Sequence, residues 1–291
     1  MLDIITVVFR DELPLLKIQA ESINQYINPQ DINEITIIVN DSDDVAELVD
    51  PSWWKQHQSK VKIKCRSSWK YEPINIGWEN QQLLKLLAAA ESNVAWSIIL
   101  DAKTWFIKEL KSKQLFGING LPYTASIPGK PGVFVEGRKF VEEHYQIALP
   151  KIIGPNGVPF VFHTATVNDM IAEFNNFIEF FSNNVKGPNF ITEFFLYSGY
   201  VTKRFGSLET LYNTNQCYLA PINIADYEID EFDIKFNAIR TNPRIATASV
   251  HRRAYSKLTQ EQQLTWVKFL EEKHLVPDEK EALDLINTYI K

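Results

Sequence analysis

Three short stretches in the first third of the chain are almost unbroken apolar runs, and each stops at a charged or polar residue: "DIITVVF" (3–9), "EITIIVND" (34–41) and "AWSIILD" (95–101). Runs this short and this rich in β-branched residues predict buried strands. "VKIKC" (61–65) predicts a fourth, shorter one. Between them the spacing changes. "LPLLKIQAESINQYI" (13–27) repeats apolar residues at helical intervals, and "ENQQLLKLLAAA" (79–90) is built from strong helix formers. Strands alternating with helices predict an α/β fold with a mostly parallel central sheet flanked by helices. In such sheets ligands bind outside the carboxyl ends of the strands, where Asp41 and Asp101 fall.

The rest of the chain is less regular. Residues 116–132 are rich in Gly and Pro and predict loop, followed by a helix over 137–149. Residues 158–181 predict a strand that turns into one amphipathic helix, capped by Thr164 or Thr166. A helix over 189–205, a strand over 245–251 and helices over 259–273 and 277–290 follow, the last with Pro277 in its first turn. With no repeat, low-complexity tract or linker, the expectation is one domain over 1–291: a nucleotide-binding half (1–110), an acceptor half (111–250) and C-terminal helices (251–291).

Composition narrows the function classes. Thirty basic against 36 acidic residues give a net charge of −6 without blocks of like charge, which disfavours nucleic acid as a partner. Cys65 and Cys217 have no metal-type spacing and read as buried thiols of a reducing compartment. The N-terminus carries an acidic residue at position 3 and no basic leader, and no apolar run reaches the roughly 20 residues that span a bilayer, so a cytoplasmic protein is expected.

The chemistry starts at "LDAKTWF" (100–106). A carboxylate at a strand end, with a second two residues later, makes a hard-oxygen site for Mg²⁺ or Mn²⁺. Here the second position is Lys103. "GWENQQLLKLLAA" (77–89) followed by "WSIILDAKTWF" (96–106) resembles a poorly characterised bacterial and phage family of GT-A-like, nucleotide-sugar-dependent glycosyltransferases. In that family a Gly-Trp-x-x-Gln-Gln-x-x-Lys-Leu helix precedes a strand ending in Asp-x-Asp-Thr-x-Phe. "ITEFFLYSGYV" (191–201) and "SVHRRAYSKLTQEQ" (249–262) are similar to two later segments of its pattern, in the same order. The departures are Lys103 for the second aspartate, Phe194 for Tyr and Ser198 for Gly.

The resemblance implies a GT-A-like fold, a nucleotide diphosphate sugar as donor and a carbohydrate or other acceptor. It implies that Lys85 faces the diphosphate, with Gln81 or Gln82 on sugar hydroxyls. A late histidine, His251 with His163 as second choice, would join Asp101 at any Mn²⁺ or Mg²⁺. Glu193 is the carboxylate expected beside the reacting sugar, one helical turn from Tyr197, and Asp101 is the second catalytic candidate. Asp41 would contact the base or ribose, and Lys103 would stand where the metal-binding carboxylate is missing. Trp78 and Trp105 are the aromatics expected at the site, the other tryptophans in the core. Two rivals remain at this stage. One is a weakened nucleotide-sugar- or carbohydrate-binding module of the same fold. The other is an unrelated doubly wound enzyme such as a nucleotidyltransferase, against which stands the lack of a glycine-rich phosphate loop.

Overall fold

The computed structural model describes all residues except 72–76, 125–126, 129–132, 150–151, 154–157, 215–220, 226–228 and 291. Its strands are β1 (Leu2–Val8), β2 (Ile32–Val39), β3 (Val61–Cys65), β4 (Trp96–Asp101), β5 (Thr104–Phe106), β6 (Ile127–Pro128), β7 (Ile152–Ile153), β8 (Phe160–His163), β9 (Pro221–Ile224) and β10 (Thr247–Val250). The helices are α1 (Leu13–Tyr26), α2 (Trp78–Ala90), α3 (Ser112–Leu115), α4 (Val133–Tyr145), α5 (Thr164–Ala172), α6 (Phe177–Asn184), α7 (Glu193–Phe205), α8 (Phe232–Thr241), α9 (Arg252–Tyr255), α10 (Gln260–Glu272) and α11 (Glu279–Ile290).

The central sheet has the order β3-β2-β1-β4-β8. Its first four strands are parallel and β8 runs against β4. Every residue of β1 is buried because both faces of the sheet are covered. Ile5 and Val7 face a core with α2 and α7, whereas Ile4 and Val8 face the opposite one with α1. A smaller sheet, β5-β10-β9, leans on a third core of α1, α8, α10 and α11 built around Trp105 and Trp266. Among the described residues no helix is long and apolar enough to cross a membrane.

Several elements depart from the sequence expectation. Helix α4 starts and ends four residues early: Gly137 is inside it, where the Phe190 carbonyl passes 2.4 Å from the place a Cβ would take. It stops because Gln146 adopts a left-handed backbone (φ 53°). The segment 158–181 forms two helices, because Asn176 caps a new start by accepting from Glu179 N at 3.2 Å. The preceding helix uses neither threonine as cap: His163 holds that position, and the Thr164 hydroxyl donates to Val94 O at 2.7 Å. Pro277 precedes the first turn of α11, whose start Asp278 caps by accepting from Glu281 N at 2.9 Å. Cys65 is half-buried at the sheet edge, and Cys217 lies outside the described residues.

Candidate active site

The register of the sheet assembles the site. Val7 stands opposite Asp101 and Val8 opposite Val39, so the segments after β1, β2 and β4 leave the sheet at one edge, its carboxyl edge. β10 brings a fourth segment: Ser249 pairs with Thr104, which carries His251, Arg252 and Arg253 past the turn at Lys103. A cavity of about 900 Å³ opens there, walled also by the first turns of α2 and α7. Asn40 ties β2 to α2, donating to Gly77 O at 3.1 Å and accepting from Asn80 at 2.5 Å.

Its floor is a buried charge cluster. Lys85, with 4% of its side chain exposed, places Nζ 2.9 Å from Asp101 Oδ1 and 3.2 Å from Glu193 Oε1. Gln81 donates to the same Asp101 oxygen at 2.8 Å, and Lys103 reaches Asp101 Oδ2 at 2.7 Å. Beneath, Gln19 donates to the carbonyls of Asp101 (2.7 Å) and Thr104 (2.9 Å) while accepting from Thr6 (2.8 Å), which fixes the turn that carries the two charges.

Burial alone pushes the Asp101 carboxyl up, but Lys103 and Lys85 hold it well below the usual carboxylate range. Burial likewise opposes the Lys85 ammonium, and Asp101 and Glu193 more than offset it, so Lys85 stays charged. Glu193 is pushed up by burial, only partly countered by Lys85.

This donor set does not fit a divalent cation. Both oxygens of Asp101 already face ammonium groups, and His251 Nδ1 accepts from the Arg253 amide at 3.3 Å, with Arg252 also in the wall. Among the described residues no three His, Cys, Asp or Glu side chains are grouped as a metal would need.

Of the residues singled out in the sequence, Asp41, Trp78, Gln81, Lys85, Asp101, Lys103, Glu193 and His251 all line this cavity. Asp41 accepts from the Arg10 amide, and Trp78 is 43% exposed. Lys85 and Glu193 hold each other by their charged ends. Gln82 is turned away from the cavity and buried, because Gln81 and Lys85, four residues apart, share one face of α2 and Gln82 points about 100° from it. Trp105 is core: it is fully buried, donates to Leu15 O at 3.2 Å and packs on Trp266. His163 bonds Thr166 at 2.8 Å and packs its ring, tilted by 47°, against Trp96, outside the cavity. Tyr197 is buried against the Tyr212 hydroxyl, also outside it.

The sequence reading missed Glu12. It stands in the 3-10 turn Arg10–Glu12 directly after β1, and half-buries its carboxylate in the cavity wall. The charged triplet "RDE" at the end of the first apolar run was the available signal, since that end is a ligand edge in parallel sheets.

Two solved structures share this fold. The apo form of the bifunctional glycosyltransferase WbbM superposes with a TM-score of 0.53 at 13% identity, over 98% of this chain and 51% of that one. This chain thus spans about half the length of WbbM. An active-site mutant of LgtC superposes with a TM-score of 0.52 at 10% identity, over 93% of this chain and 96% of that one. At such identities the likeness shows the fold, the GT-A α/β architecture. No curated protein matches the sequence. A pattern described as a family of unknown function, DUF6492, matches residues 3–278, and the chain belongs to that family.

Proposed function

We propose that this protein is a glycosyltransferase that moves a sugar from a nucleoside diphosphate sugar to a saccharide or other hydroxyl acceptor, with Lys103 in the role a divalent cation otherwise has. The observation that carries the reading is the Lys103–Asp101 pair on the cavity floor, at the carboxyl edge of a GT-A sheet. Departure of a nucleoside diphosphate from the sugar develops negative charge on its phosphates. An ammonium already oriented by Asp101 stabilises that charge without reorganising. Lys85 acts through Asp101 and Glu193, fixing both carboxylates. Asp41 at the end of β2 suits the ribose hydroxyls, and the exposed Trp78 offers a ring face to base or sugar. Gln81 takes the place expected of Gln82.

A binding module without turnover is the second reading. It is favoured by the charge count: one ammonium, itself paired to Asp101, stands in for a doubly charged ion. Calorimetry with a panel of nucleotide sugars in EDTA and in Mn²⁺ tests the first reading. The native protein is expected to bind about equally in both, and Lys103→Asp to bind only with metal. Strong Mn²⁺ dependence of the native protein overturns the role given to Lys103. Release of nucleoside diphosphate on adding saccharide acceptors separates transferase from binding module.

A further inference from the structure

The site cavity has a neighbour. A smaller cavity, of about 400 Å³, shares Asp11, Arg252 and Arg253 with it as lining, so the two meet at the start of α9. None of Asp41, Trp78, Gln81, Lys85, Asp101 and Lys103 lines the smaller one, so a group seated there lies beside the residues given to the donor and not among them.

Its charge differs from that of the floor. Among the described residues, the lysines and arginines of the site cavity are paired with one exception: Arg10 holds Asp44, Lys85 holds Asp101 and Glu193, Lys103 holds Asp101, and Arg252 lies 3.4 Å from Asp11. The exception is Arg253. Its amide donates to His251 Nδ1 and its carbonyl accepts from the Ser256 hydroxyl, but its exposed guanidinium takes no hydrogen bond or ion pair among the described residues. Because Asp11 offsets only Arg252, the smaller cavity carries an excess of one positive charge.

Its other polar groups are hydroxyls whose protons are already committed. Ser256 donates to Arg253 O at 3.1 Å, Thr288 to Asp284 O at 3.0 Å and Tyr289 to Asp11 O at 2.8 Å. Stacking of the Tyr289 ring on Tyr255, with centroids 5.5 Å apart, fixes that wall. A hydroxyl that has donated its proton still has lone pairs with which to accept. A ligand that satisfies this cavity therefore brings O–H donors for three hydroxyl oxygens and an anionic group for one guanidinium, whose planar fork matches the oxygens of a carboxylate or phosphate.

We propose that the smaller cavity is the subsite for an anionic saccharide acceptor, with the phosphate or carboxylate of that sugar on Arg253 and its hydroxyls on Ser256, Thr288 and Tyr289. The inference rests on the transferase reading above and narrows its acceptor to one chemical class. Two anions are then bound by two cations in separate places: the donor phosphates by Lys103 and the acceptor's charge by Arg253.

The experiment is a ligand-observed NMR titration with glucose, glucose 6-phosphate, glucuronic acid and inorganic phosphate. Each is run alone and with the tightest-binding of UDP, GDP, ADP and CDP, on the native protein, Arg253→Met and Arg253→Lys. The native protein should bind one or both charged sugars about tenfold more tightly than glucose, the scale of one charge-assisted hydrogen bond, and should do so with the nucleotide bound. Which of the two it prefers distinguishes a phosphate from a carboxylate acceptor. Arg253→Met should lose the preference while its nucleotide affinity stays native, which also shows that the variant is folded; Arg253→Lys, which keeps the charge, should retain part of it. Equal binding of charged and neutral sugars, or an unchanged preference in Arg253→Met, overturns the proposal and leaves the donor reading standing. Inorganic phosphate binding as tightly as glucose 6-phosphate overturns it as well, since the hydroxyls would then have no part. Displacement of the charged sugar by the nucleotide, or a tenfold loss of nucleotide affinity in Arg253→Met, gives Arg253 to the donor instead and overturns it. If none of the four nucleotides binds the native protein, the donor reading falls, and the acceptor subsite with it.

Discussion

Two cavities among the described residues treat charge differently. In the site cavity, Lys85, Glu193, Asp101 and Lys103 expose only 4%, 3%, 18% and 18% of their side chains. A second cavity, of about 650 Å³, lies between α1 and α11 and is lined by comparable pairs: Lys17–Glu281 at 2.8 Å and Lys55–Glu21 at 2.6 Å. There the lysines are more than half exposed. Water screens the second set and barely reaches the first. In the second cavity each charge survives without its partner; in the first, each depends on the others. Only the first therefore holds a lysine and a carboxylate in fixed mutual geometry, which chemistry at a leaving group requires.

The sharpest way to break the contrast is to remove one buried charge. Lys85→Met leaves Glu193 with no cation and Asp101 with one, and breaking a buried pair in this way costs about 3–5 kcal/mol. Urea unfolding should show that loss; a change below about 1 kcal/mol would mean that water enters the cluster and that the cavities are alike.

A smaller effect is expected from acid. Asp101 titrates in the folded protein below its unfolded value of about 3.9, so the stability it contributes is complete above that value and is lost as pH falls toward the folded one. Unfolding midpoints measured from pH 5 to pH 2 should fall more steeply for the native protein than for Asp101→Asn. Equal slopes would remove Asp101 as a source of acid sensitivity. The smallest effect belongs to the exposed cavity, where Lys17→Ala should change stability by less than about 1 kcal/mol, and less still at high salt. A larger, salt-insensitive loss there would erase the distinction.

Much of the scaffold was legible before any coordinates. The strands β1, β2, β3 and β4 lie within two residues of where their apolar runs put them, and α1, α2 and α10 within one or two of their helical repeats. Local pattern suffices there, because a run buried on both faces and an amphipathic repeat each admit one regular structure. The alternation of the two placed Asp41 and Asp101 at one edge. Errors cluster where a long-range contact overrides local preference. Gly137 sits inside α4 because the chain at Phe190 passes against it. Trp105, adjacent in sequence to the site, is claimed by Trp266 far along the chain.

The sequence by itself determined the class of fold, the edge at which chemistry is possible, and the unusual lysine two residues after Asp101. Each of these follows from neighbours in the chain, through strand and helix periodicity. Only the tertiary structure decided which side chains meet. It turned Gln81 rather than Gln82 to the cavity, sealed Lys85 against a glutamate 108 positions away, and set Glu12 in the wall of the same cavity as Lys103. The reason is physical: a buried charge is governed by its partners and by the water it has lost, and both are set by segments that the chain keeps far apart until the sheet brings their ends together.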